Sequence, residues 1–337
     1  MEMLPKVSRT FAPTIRLLPN KLSQWVTVAY LLCRIADTIE DDVHLDKDEK
    51  QRLLQEYANI FTKGAKTHKE NFLSGIQNIP EHSTDVSLAK NLDKVISVYQ
   101  TFNTAVRKQI SIWVVEMSLG MKKFAQERSK KKFQFLRSMK ELDEYTYYVA
   151  GTVGHMLTSL FAHFSKKITP PIVKRLEQFS ESFGKGLQLV NIIRDMKGDL
   201  RRGQSYIPDE ILKKYRLNRQ SIFKAEQHEQ AEKLFNELIQ TAVGHLDRAL
   251  DYIITLPKEE TRIRLFCLLP VCWAMQTLRI IQMNTLALLQ SEKIKVSRKT
   301  IRIEFFKSLI LIFSNRLTIR HYRKIRKNIR PEPLLQI

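Results

Sequence analysis

Glycine and proline are sparse in this chain, 10 and 11 in 337 residues, too few for a fold of short strands joined by tight turns. Leu, Ile, Lys, Gln, Glu and Arg abound instead, which predicts long helices and an all-α protein. Cysteine is scarcer still: Cys33, Cys267 and Cys272 are odd in number and sit in apolar helical contexts. That excludes a disulfide framework, suits a reducing compartment and argues against thiolate metal binding. No uncharged apolar run of the roughly 18 to 20 residues that span a bilayer is expected. Residues 1–20 carry Lys6, Arg9 and Arg16 without the apolar core of a signal peptide. These absences predict a cytoplasmic protein, soluble or peripheral to a membrane.

What the chain has in excess is positive charge, a formal +21. From Ser291 to Ile337 there are 13 Lys or Arg against 3 Glu, a net +10. A basic end suits nucleic acid, anionic lipid or an acidic partner, and charge alone does not choose. FFKSLILIF (305–313), followed after Ser314 by NRLTIRHYRKIRKNIR, favours a membrane surface over nucleic acid. The other reading is a C-terminal helix packing its apolar face on the body.

Helical periodicity runs throughout, with breaks expected near residue 8 and at 44–50, 78–85, 166–171, 201–208 and 256–261. No Gly/Ser-rich linker and no internal repeat divide the chain. One helical domain over 1–285 is expected, then a basic extension over 286–337.

RIADTIEDD (34–42) concentrates four carboxylates behind an arginine. On a helix Asp37 and Asp41 share a face, with Arg34 one turn earlier, while Glu40 and Asp42 fan to the sides. Stacked like charges repel unless a cation sits between them, and hard oxygen donors at this spacing suit Mg²⁺. A solvated acidic helix end is the alternative. QLVNIIRDMKGD (188–199) repeats the pattern: Gln188, Asn191, Asp195 and Asp199 form a polar stripe beside Leu189, Val190, Ile192 and Ile193. Carboxylates in such apolar surroundings need partners, and Arg194 again accompanies them. Two such sets, each with arginine, describe a clamp for a diphosphate through bridging Mg²⁺. In YTYYVAGTVGHMLTSLF (145–161), Gly151 and Gly154 each cost a helix about 1 kcal/mol relative to Ala. They allow either close helix packing or a long hydrocarbon beside Tyr145 and Tyr148.

Across roughly residues 5–285, VSRTFAPTIRLLP, YLLCRIADTIEDD, YTYYVAGTVG and NIIRDMKGDLRRGQSYIP occur in order. In this the chain resembles the squalene and phytoene synthases, the head-to-head isoprenoid synthases. The resemblance implies an all-α isoprenoid-synthase fold, a single helical domain with two aspartate-rich helices facing each other across a central cavity. It implies Mg²⁺-dependent condensation of two allylic diphosphates, normally farnesyl diphosphate, through presqualene diphosphate. Asp37 and Asp41 match the first metal-binding motif; Asn191, Asp195 and Asp199 match the second. Ser8, Arg9, Tyr30, Arg34, Gln188 and Arg194 match diphosphate-binding positions, Phe11 a cavity wall, and Tyr145 the tyrosine implicated in catalysis. RRGQSYIP (201–208), with Arg201 and Arg202, resembles the loop that closes over the site.

DTIEDD and YVAGTVG lean towards the squalene-forming branch, which uses NADPH. QMNTLALLQSEKIKVSRKT (282–300) resembles the segment of those enzymes whose basic residues meet NADPH, here Asn284, Lys295, Arg298 and Lys299. No GxGxxG occurs, and none is expected of this family. YLLCR and AGTVG also resemble dehydrosqualene synthases, which lose a proton and need no NADPH. DMKGD lacks the extra acidic residue common before the last aspartate of the second motif. A monomer is expected, with product passing to a membrane surface and no role for nucleic acid. The non-enzyme alternative is a helical module docking its basic end on a membrane or an acidic partner.

Overall fold

The computed structural model describes residues 3–8, 11–62, 65–128, 134–285, 296–327 and 329. The first half holds α1 (Leu4–Val7), α2 (Phe11–Ile15), α3 (Asn20–Asp41), α4 (Lys47–Ile60), α5 (Ala65–Gln77), α6 (Thr84–Lys90), α7 (Leu92–Gln100) and α8 (Thr104–Arg128). The second holds α9 (Met139–Thr146), a π-helical turn (Tyr147–Gly151), α10 (Thr152–Phe164), α11 (Pro170–Arg201), α12 (Asp209–Lys214), α13 (His228–Thr255) and α14 (Thr261–Met283). Beyond α14 lie α15 (Arg298–Leu311) and α16 (Asn315–Arg326). The one exception to helix is a two-residue parallel ladder among the described residues, β1 (Gln134–Phe135) with β2 (Gln204–Ser205).

Local chemistry sets the helix starts. Asp46 and Glu49 form a reciprocal capping box at α4, and the Ser83, Ser138, Ser297 and Ser314 side chains accept backbone N–H groups at α6, α9, α15 and α16. Pro170 opens α11, where a missing N–H costs nothing.

Through the centre runs α3, with Leu22, Leu32, Ile35, Ala36 and Ile39 buried. Its apolar residues extend to within two positions of its acidic end, so the core and the carboxylates share one rigid rod. The other central element, α11, packs on α10 and α13. Two glycines set that spacing: a Cβ on Gly154 would lie 1.8 Å from the Ser180 carbonyl oxygen, and one on Gly184 would lie 1.9 Å from that of Ala150. The glycine-bearing segment therefore serves close helix packing, the first of the two readings its sequence allowed.

No run in α14 is free of charge for 18 residues, since Arg264 and Arg279 interrupt it, yet among the described residues this one helix is long and apolar enough to cross a bilayer by length and composition. It is nevertheless 72% buried over its apolar stretch and packs on α13, α2, α15 and α16. Arg264, fully buried in its first turn, donates to the Leu256 carbonyl and to Asn315 Oδ1. A buried core helix and a spanning helix share this composition, and packing tells them apart.

Candidate active site

The two acidic motifs meet where the C-terminal ends of α3 and α11 converge. Asp199 is 6% exposed, and its carboxyl is pushed up to about 7, chiefly by burial; Arg202 opposes the rise, while Asp41 and Asp195 add to it. Asp41 thus bears on Asp199 across 158 positions of chain. Asp37 is likewise pushed up to about 7 by burial, against the pull of Arg34 and with Asp41 and Glu40 reinforcing it. Carboxylates brought together at that cost call for positive charge.

Arg34, Arg194 and Arg202 are each paired with a carboxylate. Arg34 makes a two-pronged contact with Asp85 of α6, Nε to Oδ1 at 3.0 Å and Nη2 to Oδ2 at 2.7 Å, and lies 3.7 Å from Asp37. Arg194 spans both oxygens of Asp195 at 2.9 and 2.5 Å, and Arg202 donates to Asp199 at 2.5 Å. On the same stripe, Asn191 Nδ2 donates to Gln188 Oε1 at 3.5 Å. About three turns before the end of α3, Tyr30 donates to the Val7 carbonyl at 3.3 Å and lies against Phe11, ring centroids 6.0 Å apart. Ser8 is buried and accepts from the Phe11 N–H. The structure therefore groups Ser8, Phe11, Tyr30 and Arg34 at one edge of the carboxylates. Arg9 lies outside the described residues.

Tyr145 ends α9 at 3% exposure, its hydroxyl donating to Glu40 Oε2 at 3.4 Å. Its ring stacks on Tyr206 at 4.8 Å and meets Phe124 edge-on. Lys185 of α11 donates to Asp143 at 2.8 Å, fixing α9 against the same helix that carries the second motif. The π-helical turn directly after α9 inserts an extra residue between Tyr145 and the glycine contacts, a feature periodicity does not reveal.

Glu40 and Asp42 do not fan outward as the helical wheel suggested. Glu40 is 3% and Asp42 4% exposed; the Glu40 carbonyl accepts from buried Lys50, and Asp42 Oδ1 caps the His44 and Leu45 N–H groups. The loop at 201–208 covers the carboxylates: Gln204 and Tyr206 reach Asp41 Oδ1 at 3.4 and 3.5 Å. Glu40, Asp85, Gln204 and Tyr206 are thus site neighbours that sequence reasoning did not single out. Their partners lie 51 to 165 positions away, beyond any local pattern.

A cavity of about 660 Å³ lies beside Phe61, Val115, Leu119 and Tyr148, between α4 and α8, and none of the aspartates lines it. At the aspartates themselves, Tyr206, stacked on Tyr145, and Gln204 of the loop at 201–208 lie against Asp41. Of the residues assigned to a nicotinamide cofactor, Asn284 is exposed at the end of α14, and Arg298 and Lys299 are exposed in the first turn of α15. Lys295 lies outside the described residues.

The squalene/phytoene synthase family model matches residues 4–300. The squalene synthase of Schizosaccharomyces pombe is 31% identical over 283 residues, 84% of this chain and 59% of that protein. A squalene synthase of Candida albicans is 29% identical over 341 residues, 96% of this chain and 73% of that protein. The chain thus spans about three fifths to three quarters of the length of these relatives. Among solved structures, a ligand complex of TcSQS superposes with a TM-score of 0.83 at 22% identity, covering 100% of this chain and 92% of that one. A dehydrosqualene synthase complex gives 0.63 at 22% identity, covering 91% and 93%. At that identity the two structures bear on fold alone.

Proposed function

Because this chain belongs to the squalene/phytoene synthase family, we propose that it condenses two farnesyl diphosphates head to head through presqualene diphosphate, then reduces the product to squalene with NADPH. The observation that carries the reading is the convergence of two carboxylate sets, Asp37/Asp41 on α3 and Asn191/Asp195/Asp199 on α11, close enough for Asp41 to raise the Asp199 carboxyl. The donors are all oxygen and the local charge is strongly negative, which fits Mg²⁺. Asp37, Asp41, Asn191, Asp195 and Asp199 would hold it, and it would supply positive charge to the departing diphosphate.

This chain's own residues do the rest. Arg34 and Arg194, released from Asp85 and Asp195, would grip diphosphate oxygens in the two-pronged geometry they already show. Ser8, Arg9, Tyr30 and Gln188 complete that grip, and Phe11 walls the apolar side. Tyr145, whose hydroxyl donates to Glu40, orients the diphosphate or assists proton loss to the released diphosphate as base. Gln204 and Tyr206 keep water from the allylic cation by covering Asp41. For the reductive step, Asn284, Lys295, Arg298 and Lys299 would meet the phosphates of NADPH. The relatives named squalene synthase support that step over proton loss.

A membrane surface is the proposed destination of the product, and the protein acts as a monomer at its cytoplasmic side. Support comes from α15, where Ile303, Phe306, Ile310 and the following Phe313 are 43%, 64%, 73% and 64% exposed beside exposed Lys299, Arg302 and Lys307.

The test is product analysis with farnesyl diphosphate and Mg²⁺, with and without NADPH. Squalene only with NADPH, and presqualene diphosphate accumulating without it, is the expected outcome. Dehydrosqualene in both tubes would assign the protein to the proton-loss branch. No consumption, with geranylgeranyl diphosphate also refused, would leave the docking module as the reading. Asp37→Ala and Asp195→Ala should abolish Mg²⁺-dependent consumption in a folded protein.

A further inference from the structure

Helix α15 is inverted for a surface helix. Its buried positions are polar, Glu304 at 3% and Ser308 at 0% exposure, while Phe306 and Ile310 face outward. An amphipathic helix ordinarily does the reverse, and a buried carboxylate needs a partner. Two other helices supply it. His321 of α16 meets Glu304 Oε1 through Nε2 at 2.5 Å. Cys272 of α14 is fully buried, and its sulfur, a Glu304 oxygen and a His321 nitrogen all lie within 4.8 Å of one another. One turn beyond Glu304 on the same buried face, the Ser308 hydroxyl has no hydrogen-bond partner.

We propose that Cys272, Glu304 and His321 form a binding site for a borderline-soft divalent transition metal, zinc by preference, which clamps α15 and α16 onto α14. This runs against the sequence expectation that disfavours thiolate metal binding, because Glu304 and His321 lie 32 and 49 positions from Cys272 and reach it only through the packing of α14, α15 and α16. A set of sulfur, nitrogen and oxygen donors selects such an ion over Mg²⁺, which takes oxygen alone. Thiolate, carboxylate and neutral imidazole around a dication sum to zero charge, the state an apolar interior tolerates best. Tetrahedral bonds of about 2.0–2.3 Å place donors roughly 3.3–3.8 Å apart. The Glu304–His321 contact of 2.5 Å therefore opens by about 1 Å on binding. A water or the Ser308 hydroxyl fills the fourth position. On binding, the Cys272 S–H bond breaks, its proton passes to solvent and a metal–sulfur bond forms, with no change of oxidation state.

A simple hydrogen-bonded chain of thiol, carboxylate and imidazole is the competing account, and cobalt(II) titration of the full chain separates the two. Cobalt on the aspartates gives no sulfur signal, whereas cobalt on this trio gives a thiolate-to-metal charge-transfer band. The band is expected at one equivalent in the unaltered protein and in Asp37→Asn, where the oxygen site is impaired. It should vanish in Cys272→Ser, and His321→Gln should weaken binding at least tenfold. Added zinc should raise the melting temperature of the unaltered protein and leave that of Cys272→Ser unmoved. No thiolate band in the unaltered protein overturns the proposal. So does a band that survives Cys272→Ser, which would assign it to Cys33 or Cys267. Should Cys272→Ser fail to fold, Glu304→Gln decides: an unchanged band and affinity there refutes the site, and weakened binding supports it.

Discussion

Replacing Gly184 by Ala adds one methyl group and should damage the protein well beyond its size. The new Cβ would sit 1.9 Å from the Ala150 carbonyl oxygen, 2.5 Å from its carbon and 3.0 Å from the Gly151 nitrogen, all backbone atoms with no rotamer to yield. Ordinary contact begins near 3.4 Å, so α11 and the π-helical turn must separate by about 1.5 Å. Overpacking of this kind costs roughly 1–3 kcal/mol, against about 1 kcal/mol gained from the better helix propensity of Ala. A net loss of up to about 2 kcal/mol is expected, and the strain falls on the segment joining Tyr145 to the second aspartate set. Turnover should therefore drop by more than the loss of folded protein explains. Gly244, exposed on α13 with nothing within 4 Å of its Cβ position, supplies the control: the same substitution there should stabilise by up to about 1 kcal/mol. Urea unfolding followed by circular dichroism, alongside initial rates, reads both. If Gly184→Ala matches Gly244→Ala in stability, close backbone approach is not what holds α11 in place.

Tyr145→Phe removes a donor to the buried Glu40 carboxylate, so the variant should lose roughly 1–3 kcal/mol of stability and most of its turnover; a variant with unimpaired rates would place Tyr145 outside the chemistry. Phe306→Ser combined with Ile310→Ser should abolish binding to anionic liposomes while shifting the urea midpoint by less than about 0.5 kcal/mol, since both side chains are exposed. Liposome binding that persists would show the contact to be made elsewhere. Metal-free protein should become less stable as pH rises from about 4 to above 7. Asp37 and Asp199 keep their protons up to about 7 when folded but release them near 3.9 when unfolded, so the stability present at low pH is lost as pH climbs through 7. Urea midpoints at pH 5 and 8 in chelator should fall in that order, and a rise would mean that the arginine pairing outweighs burial.

Periodicity and composition made the helices legible, because capping serines and apolar repeats act within a few residues of themselves. All six expected breaks coincide with helix ends or with the loops that join them. The breaks between α4 and α5, α7 and α8, α8 and α9, and α12 and α13 are not among the expected ones. Within the candidate site, Asp37 and Asp41, or Asn191 and Asp195, are helical neighbours whose relation is local. What brings α3 to α11 is tertiary, as are the Arg34–Asp85 and Tyr145–Glu40 contacts. A helical wheel treats Glu40 as peripheral because it knows only its own axis; burial depends on what packs beside that axis, here α9 and the loop after α11. For FFKSLILIF the sequence left two readings, a membrane-surface segment and a helix packing on the body, and only the tertiary placement of α15 shows Phe306, Ile310 and the following Phe313 turned outward.

The β1–β2 ladder is only two residues long, yet it does not stand alone. Leu136 N–H donates to the Ser205 carbonyl, Asp209 and Glu210 N–H to the Leu136 and Arg137 carbonyls, and Met139 N–H to the Glu210 carboxylate. The stretch leading into Tyr145's helix and the stretch covering Asp41 are therefore one stapled strip, although some seventy positions separate them. Amide protons of Leu136, Asp209 and Glu210 should exchange with solvent together, at a single opening rate. A cover that peels from the carboxylates would then pull on the base of α9, so admission of substrate and positioning of the tyrosine become a single mechanical event.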